Sequence, residues 1–110
     1  MDIHESKLDR VTVARMSGRL DVATAPAAQA RLLEMLASGS ALIADMTDVA
    51  YVSSAGLRVL LMAAKQAKSR GAHFGLIGPQ PSVREVLAMS GFDKIIQVHP
   101  DLDTAIGTLG

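Results

Sequence analysis

The spacing of apolar side chains changes several times along the chain, and each change marks an element. Ile3 to Lys7 and Val11 to Ser17 are short β-prone runs. In the second, Val11, Val13 and Arg15 alternate with Thr12, Ala14 and Met16, the period of two that a strand presents. Leu8-Asp9-Arg10 between them reads as a hairpin turn, and Gly18-Arg19-Leu20-Asp21 leaves the second strand. From Thr24 to Ser38 an alanine-rich stretch predicts a helix with Pro26 in its first turn, where a missing N–H costs nothing. Leu32, Leu33, Met35 and Leu36 form its apolar side, and Gly39 is its stop.

Ala41 to Met46 is a brief apolar run bounded by Gly39-Ser40 and by Asp45-Met46-Thr47-Asp48, as a buried strand would be. Val49-Ala50-Tyr51-Val52 then leads into Ser53-Ser54, and from Ala55 to Ser69 the period is that of a helix. Leu57, Leu60, Leu61, Ala64 and Ala67 make its inner stripe, while Arg58, Lys65 and Lys68 face water. Ala72 to Ile77 predicts a strand and Gly78-Pro79-Gln80-Pro81 a turn. Ser82 to Ser90 predicts a helix with Val83, Val86 and Leu87 inward, ended by Gly91. Ile95-Ile96-Gln97-Val98 is a terminal strand, and Asp101 to Leu109 a last helix capped at Asp101 or Pro100. The order ββαβαβαβα belongs to the α/β class: a mixed β-sheet with helices, its parallel strands joined by right-handed crossovers.

At 110 residues and 49% hydrophobic, the chain is expected to form one domain over 1–110. A radius of gyration near ~13 Å leaves little room for a large enclosed active site. Lys plus Arg number 11 and Asp plus Glu 11, so nucleic acid is not held here by bulk electrostatics. With no cysteine, disulfides, thiolate catalysis and thiolate metal sites are excluded. The opening MDIHESKLDR resembles neither a signal nor a transit peptide, and no apolar stretch is long and unbroken enough to span a bilayer. A cytoplasmic protein without membrane insertion is the expectation.

His4, His73 and His99 lie far apart and form no ligand set at helical spacing. Gly71, Gly75 and Gly78 lack the Lys-Ser/Thr ending of a nucleotide loop. Ser53-Ser54-Ala55-Gly56 lacks the Gly-x-Ser-x-Gly spacing, and no histidine is identified as its base. No catalytic residue, metal or cofactor is therefore expected, and the chain is read as a binding protein rather than an enzyme. Ser53 or Ser54 caps the following helix, worth about 1 kcal/mol relative to alanine, and Gly56 permits close approach of another segment. A helix start is also where free N–H groups and the helix dipole would hold a phosphate. Placing roughly two negative charges there would change the surface more than the fold. Asp21 and Asp45, each read as following a strand of the same direction, are expected at the same rim, where they would repel that phosphate and help expel a partner. Their plainer role is strand-end solvation or backbone capping.

Three segments resemble the STAS family, and within it the stand-alone bacterial anti-sigma factor antagonists: Met16 to Asp21, Asp45 to Leu61, and Met89 to Ile96. The resemblance covers nearly the whole chain and implies the small STAS α/β domain. It places the family's Asp-Ser-Ser/Thr-Gly-Leu pattern on Ser53, Ser54, Ala55, Gly56 and Leu57, with Ser54 as phospho-acceptor and Ser53 as its competitor. The sequence departs from that pattern at Ser53 and Ala55. The implied partners are an anti-sigma factor that is also a GHKL-type serine kinase, bound when Ser54 is unphosphorylated, and a PP2C-type phosphatase. Asp21, Asp45, Tyr51, Val52, Ser53, Ala55, Gly56 and Arg58 are the expected partner-facing residues. An alternative is a STAS module that switches or scaffolds a non-sigma target, such as a secretion or signalling system.

Overall fold

In the computed structural model, which describes residues 1–37 and 41–109, the elements follow one another as β1 (Asp2–Leu8), β2 (Val11–Leu20), α1 (Ala25–Ala37), β3 (Ala41–Val52), α2 (Ser54–Ser69), β4 (His73–Ile77), α3 (Pro81–Met89), a 3-10 turn (Phe92–Lys94), β5 (Gln97–His99) and α4 (Leu102–Leu109). The strands lie in the sheet in chain order, β1 to β5. β1 is antiparallel to β2, through a turn at Asp9 with φ 56°, and every later neighbour is parallel. The ββαβαβαβα order of a small STAS domain is thus the observed one. The predicted helix stop at Gly39, with Ser38 and Ser40 beside it, lies outside the described residues.

Because the sheet order advances by one strand at each crossover, crossovers of one hand put α1, α2 and α3 on the same face. Leu32 and Leu36 of α1, Leu60 of α2 and Leu87 of α3 accordingly share a core with Met16, Leu42 and Leu76 of the sheet. α4 covers the opposite face, where Ala105 packs with Val11, Val13, Ala41, Ile43 and Ile77. Two-sided cover explains why Val11 to Ala14 are all buried although the sequence alternates. The radius of gyration is 12.3 Å.

β2 and β3 are longer than their hydrophobic pattern suggests: β2 continues past Ser17 to Leu20, and β3 past Met46 to Val52. In that second half of β3 the core-facing residues are Met46, Val49 and Val52, with Thr47-Asp48 and Ala50-Tyr51 exposed between them. The register accounts for this. Arg15 faces Asp45 but Ser17 faces Asp48; Gly18 faces Val49 but Arg19 faces Tyr51. At each shift β3 carries one residue more than β2, which is a bulge, and two bulges turn a period of two into a period of three. β4 ends at Ile77, opposite Asp45, so β2 and β3 run on beyond it as a ribbon.

Other differences are smaller. α2 starts at Ser54 and faces the core with Gly56, Leu57, Val59, Leu60, Ala63 and Ala67, while Leu61 and Ala64 are only half-buried. The observed stripe is the predicted one rotated slightly about the helix axis. α3 starts at Pro81, with Val83 and Leu87 buried and Val86 half-buried. β5 is confined to Gln97–His99: Ile96 is buried and Ile95 is 60% exposed, because both belong to the exit from the 3-10 turn. Asp101 caps α4, its Oδ1 accepting from the Thr104 N–H at 2.8 Å. That bond, above all, holds the Asp101 carboxyl below its ordinary value.

Candidate functional site

The β2–β3 ribbon brings Leu20 and Val52 side by side at the corner where α2 begins. Ser53, in extended conformation, is the cap residue. Its N–H donates to the Leu20 carbonyl at 2.9 Å, its carbonyl accepts from the Leu57 N–H at 2.8 Å, and its Oγ accepts from the Gly56 N–H at 3.3 Å. Ser53 is therefore tied through its N–H to β2 and through its carbonyl and hydroxyl oxygens to the helix it starts. Ser54 is the first helical residue; it is exposed, and its hydroxyl has no hydrogen-bond partner among the described residues.

Gly56 is where this geometry becomes obligatory. A Cβ there would lie 2.5 Å from the Leu20 carbonyl oxygen, 2.8 Å from Leu20 Cγ and 3.0 Å from Val52 Cγ1. The nearest of those atoms is backbone and cannot swing aside, so only glycine lets the first turn of α2 press onto the end of β2.

On the β2 side of the corner, Asp21 organises the loop into α1. Its Oδ1 accepts from the N–H groups of Ala23 and Thr24 at 3.1 and 3.2 Å, while its own N–H donates to Thr24 Oγ1 at 3.0 Å. Thr24 Oγ1 donates in turn to the Arg19 carbonyl at 2.8 Å. The Thr24 N–H is the largest cause of a lowered Asp21 pKa; burial opposes it, and the Ala23 N–H, the Thr24 hydroxyl and Arg19 add to it. Arg19 lies 3.7 Å from Asp21 through Nε and stacks over Tyr51 with 4.4 Å to the ring centroid.

Of the residues expected to face a partner, Tyr51 and Arg58 are exposed, Ser53 and Ala55 half-buried, and Val52 and Gly56 buried. The Val52 side chain belongs to the core, so it is Tyr51, its outward neighbour just after the second bulge, that meets solvent. Asp45 is not brought to this corner. It lies inside β3 and accepts from the Thr47 N–H at 3.0 Å and the Thr47 hydroxyl at 2.6 Å; the strand from there to Val52 spans roughly 20 Å. The expected rim of two aspartates is thus one capping aspartate with Arg19 beside it. The first turn of α2 holds no acidic residue. Arg19, Leu20 and Thr24 were missed as site residues. Asp21 followed three residues later by Thr24 at a helix entry was a readable capping signal, whereas nothing local reveals that Leu20 meets Gly56. Among the described residues no group of three His, Asp or Glu side chains could hold a metal ion, and no helix is long and apolar enough to cross a membrane.

The family model of the STAS domain matches residues 3–105, so the chain belongs to the STAS domain family. A protein of Bordetella bronchiseptica that carries the name of an anti-sigma factor antagonist, BtrV, is 34% identical over 106 residues, 96% of this chain and 91% of that protein. The crystal structure of an anti-sigma factor antagonist from Mycobacterium paratuberculosis superposes with a TM-score of 0.89 at 28% identity, covering 97% of this chain and 92% of the other. The Bacillus protein SpoIIAA in its unphosphorylated form shares the fold, with a TM-score of 0.81 at 20% identity over 98% and 96% of the two chains.

Gly56→Ala is expected to lower stability by about 1–3 kcal/mol in urea unfolding, although alanine gains about 1 kcal/mol in helix propensity; a neutral result would show that the corner yields. Ser53→Ala should cost about 1 kcal/mol and Ser54→Ala less than about 0.5 kcal/mol, so equal losses would contradict the assignment of the cap. The lowered Asp21 pKa makes its charge stabilising above the ordinary carboxylate value of 3.8, and that contribution is lost as pH falls through the folded-state pKa. The urea midpoint of Asp21→Asn should therefore lie below that of the wild type at neutral pH and converge with it in acid.

Proposed function

We propose that this chain is an anti-sigma factor antagonist, a cytoplasmic partner switch that binds an anti-sigma factor while Ser54 is unmodified and lets it go when Ser54 is phosphorylated. The observation that carries the reading is the division of labour between adjacent serines: the Ser53 hydroxyl is held by the Gly56 N–H, and the Ser54 hydroxyl is exposed without a partner. A kinase can take up Ser54 without dismantling the cap. The partner kinase is of the GHKL type, as the family resemblance implies. The γ-phosphoryl group of ATP passes to Ser54 Oγ, ADP departs, and the hydroxyl proton goes to a base on the kinase. A PP2C-type phosphatase returns the serine by hydrolysis.

The physical effect of the phosphate is local. It adds roughly two negative charges at the positive end of α2, beside a first turn free of acidic residues, so the fold tolerates it. A surface that docked on a neutral hydroxyl meets a bulky dianion instead. Tyr51 and Arg58 flank that surface on the exposed side.

The test is capture from host lysate on immobilised wild type, Ser54→Ala and Ser54→Asp, followed by ATP elution and phosphopeptide mapping. Wild type and Ser54→Ala should capture the same kinase, with release by ATP and phosphate on Ser54 in the wild type alone. Ser54→Asp should bind about tenfold more weakly or worse. Phosphate on Ser53 would overturn the assignment of the acceptor, and ATP-driven release of Ser54→Ala would overturn the switch.

A further inference from the structure

At the far end of α2 from Ser54, a second surface has the character of a docking cleft. Lys65 and Lys68 of α2 and Lys94 of the 3-10 turn line an open cleft of about 770 Å³. No acidic side chain lines the cleft; Asp93, next to Lys94, lines a separate hollow with Arg84 and Leu87. None of the three lysines is in an ion pair among the described residues. In a chain of zero formal charge, and on a helix without a single Asp or Glu, this is a concentrated positive rim.

The floor and edge say what kind of anion fits. Ala67, Ala72 and Phe74 make the floor apolar, and Ile95 stands 60% exposed at its margin. β4 begins at His73, but β5 pairs with it only from Gly75 opposite Gln97. His73 and Phe74 therefore have no strand of β5 beside them. We propose that this cleft docks an extended acidic segment of a partner protein, with its carboxylates on the lysines and its apolar side chains over Phe74 and Ile95. A small phosphate compound would satisfy the lysines and leave the apolar floor and the start of β4 that β5 does not reach unused, whereas an alternating acidic and apolar strand meets all three. The cleft does not involve Ser54, so the proposal stands apart from the phosphorylation switch.

The experiment titrates the isotope-labelled full chain with a synthetic peptide of alternating glutamate and leucine and follows the amide resonances. Shifts should cluster at His73, Phe74, Ile95 and Gln97, and affinity should fall steeply as added salt shortens the Debye length toward about 3 Å. Lys65→Gln, Lys68→Gln and Lys94→Gln combined should weaken binding about tenfold while leaving the remaining resonances in place. Changing the same three lysines to glutamate should transfer preference to a lysine–leucine peptide. Equal binding of a glutamine–leucine peptide, shifts centred elsewhere, no binding at all, or tighter binding of inorganic triphosphate at the same amides would each overturn the proposal.

Discussion

The first turn of α2 lies against the end of β2 with no side chain between them. The Ser53 N–H bonds the Leu20 carbonyl, and a Cβ on Gly56 would intrude to 2.5 Å of that same oxygen. Much of the corner follows from this contact. It fixes the axial position of α2 on the sheet, which sets Leu57 and Leu60 over the core. It also draws Ser53 into the extended cap, and α2 then begins with Ser54 on its exposed side. Ser54 thus sits on a corner fixed by backbone packing two residues away, and a substitution at Gly56 would disturb the serine without touching it.

That contact requires the ends of β2 and β3 to reach past β4, and the bulges make this possible. A regular ribbon of the same length would alternate strictly and place every second residue over the helices. The two extra residues on β3 instead bring only Met46, Val49 and Val52 inward, while the outward side is polar. There Arg15 pairs with Asp48 at 3.2 Å and Arg19 covers Tyr51. Exposed pairs of this kind are worth little individually. Their role is to let the ribbon stand beyond the cover of α4 without an apolar face.

What could be read from the residues, and what could not, divides along local and non-local lines. The helices from Ala25, Ser54, Pro81 and Leu102 announce themselves by period, proline and cap residues, as does the buried strand from Ala41. β3 past Met46 was hidden because its bulges erase the period of two, and the two-residue period is the signal on which strand recognition depends. The core stripe of α2 was read one position off, since Leu61 and Ala64 are as apolar as Val59 and Ala63 and only the neighbouring elements decide which are covered. At the site, Ser53, Ser54 and Gly56 were legible as a cap and a tight approach. That Gly56 approaches Leu20, that Arg19 stacks on Tyr51, and that Asp45 stays mid-strand are facts of pairing register.

Register also changes the electrostatic argument at Ser54. Two aspartates beside the serine would have made phosphorylation a conflict within the chain. Asp45 is instead held by Thr47, and the Asp21 carboxylate is spent on the N–H groups of Ala23 and Thr24 with Arg19 nearby. Two fixed influences on a phosphate at Ser54 are the positive end of α2 and the exposed Arg58, one turn along the same outward face. Both favour the dianion. Under the proposed switch, the chain itself gains no reason to rearrange when modified, and discrimination between the two forms falls to the surface that docks on this corner. Such a division suits a switch that must be reset repeatedly, because neither form has to unfold any part of the domain to become the other.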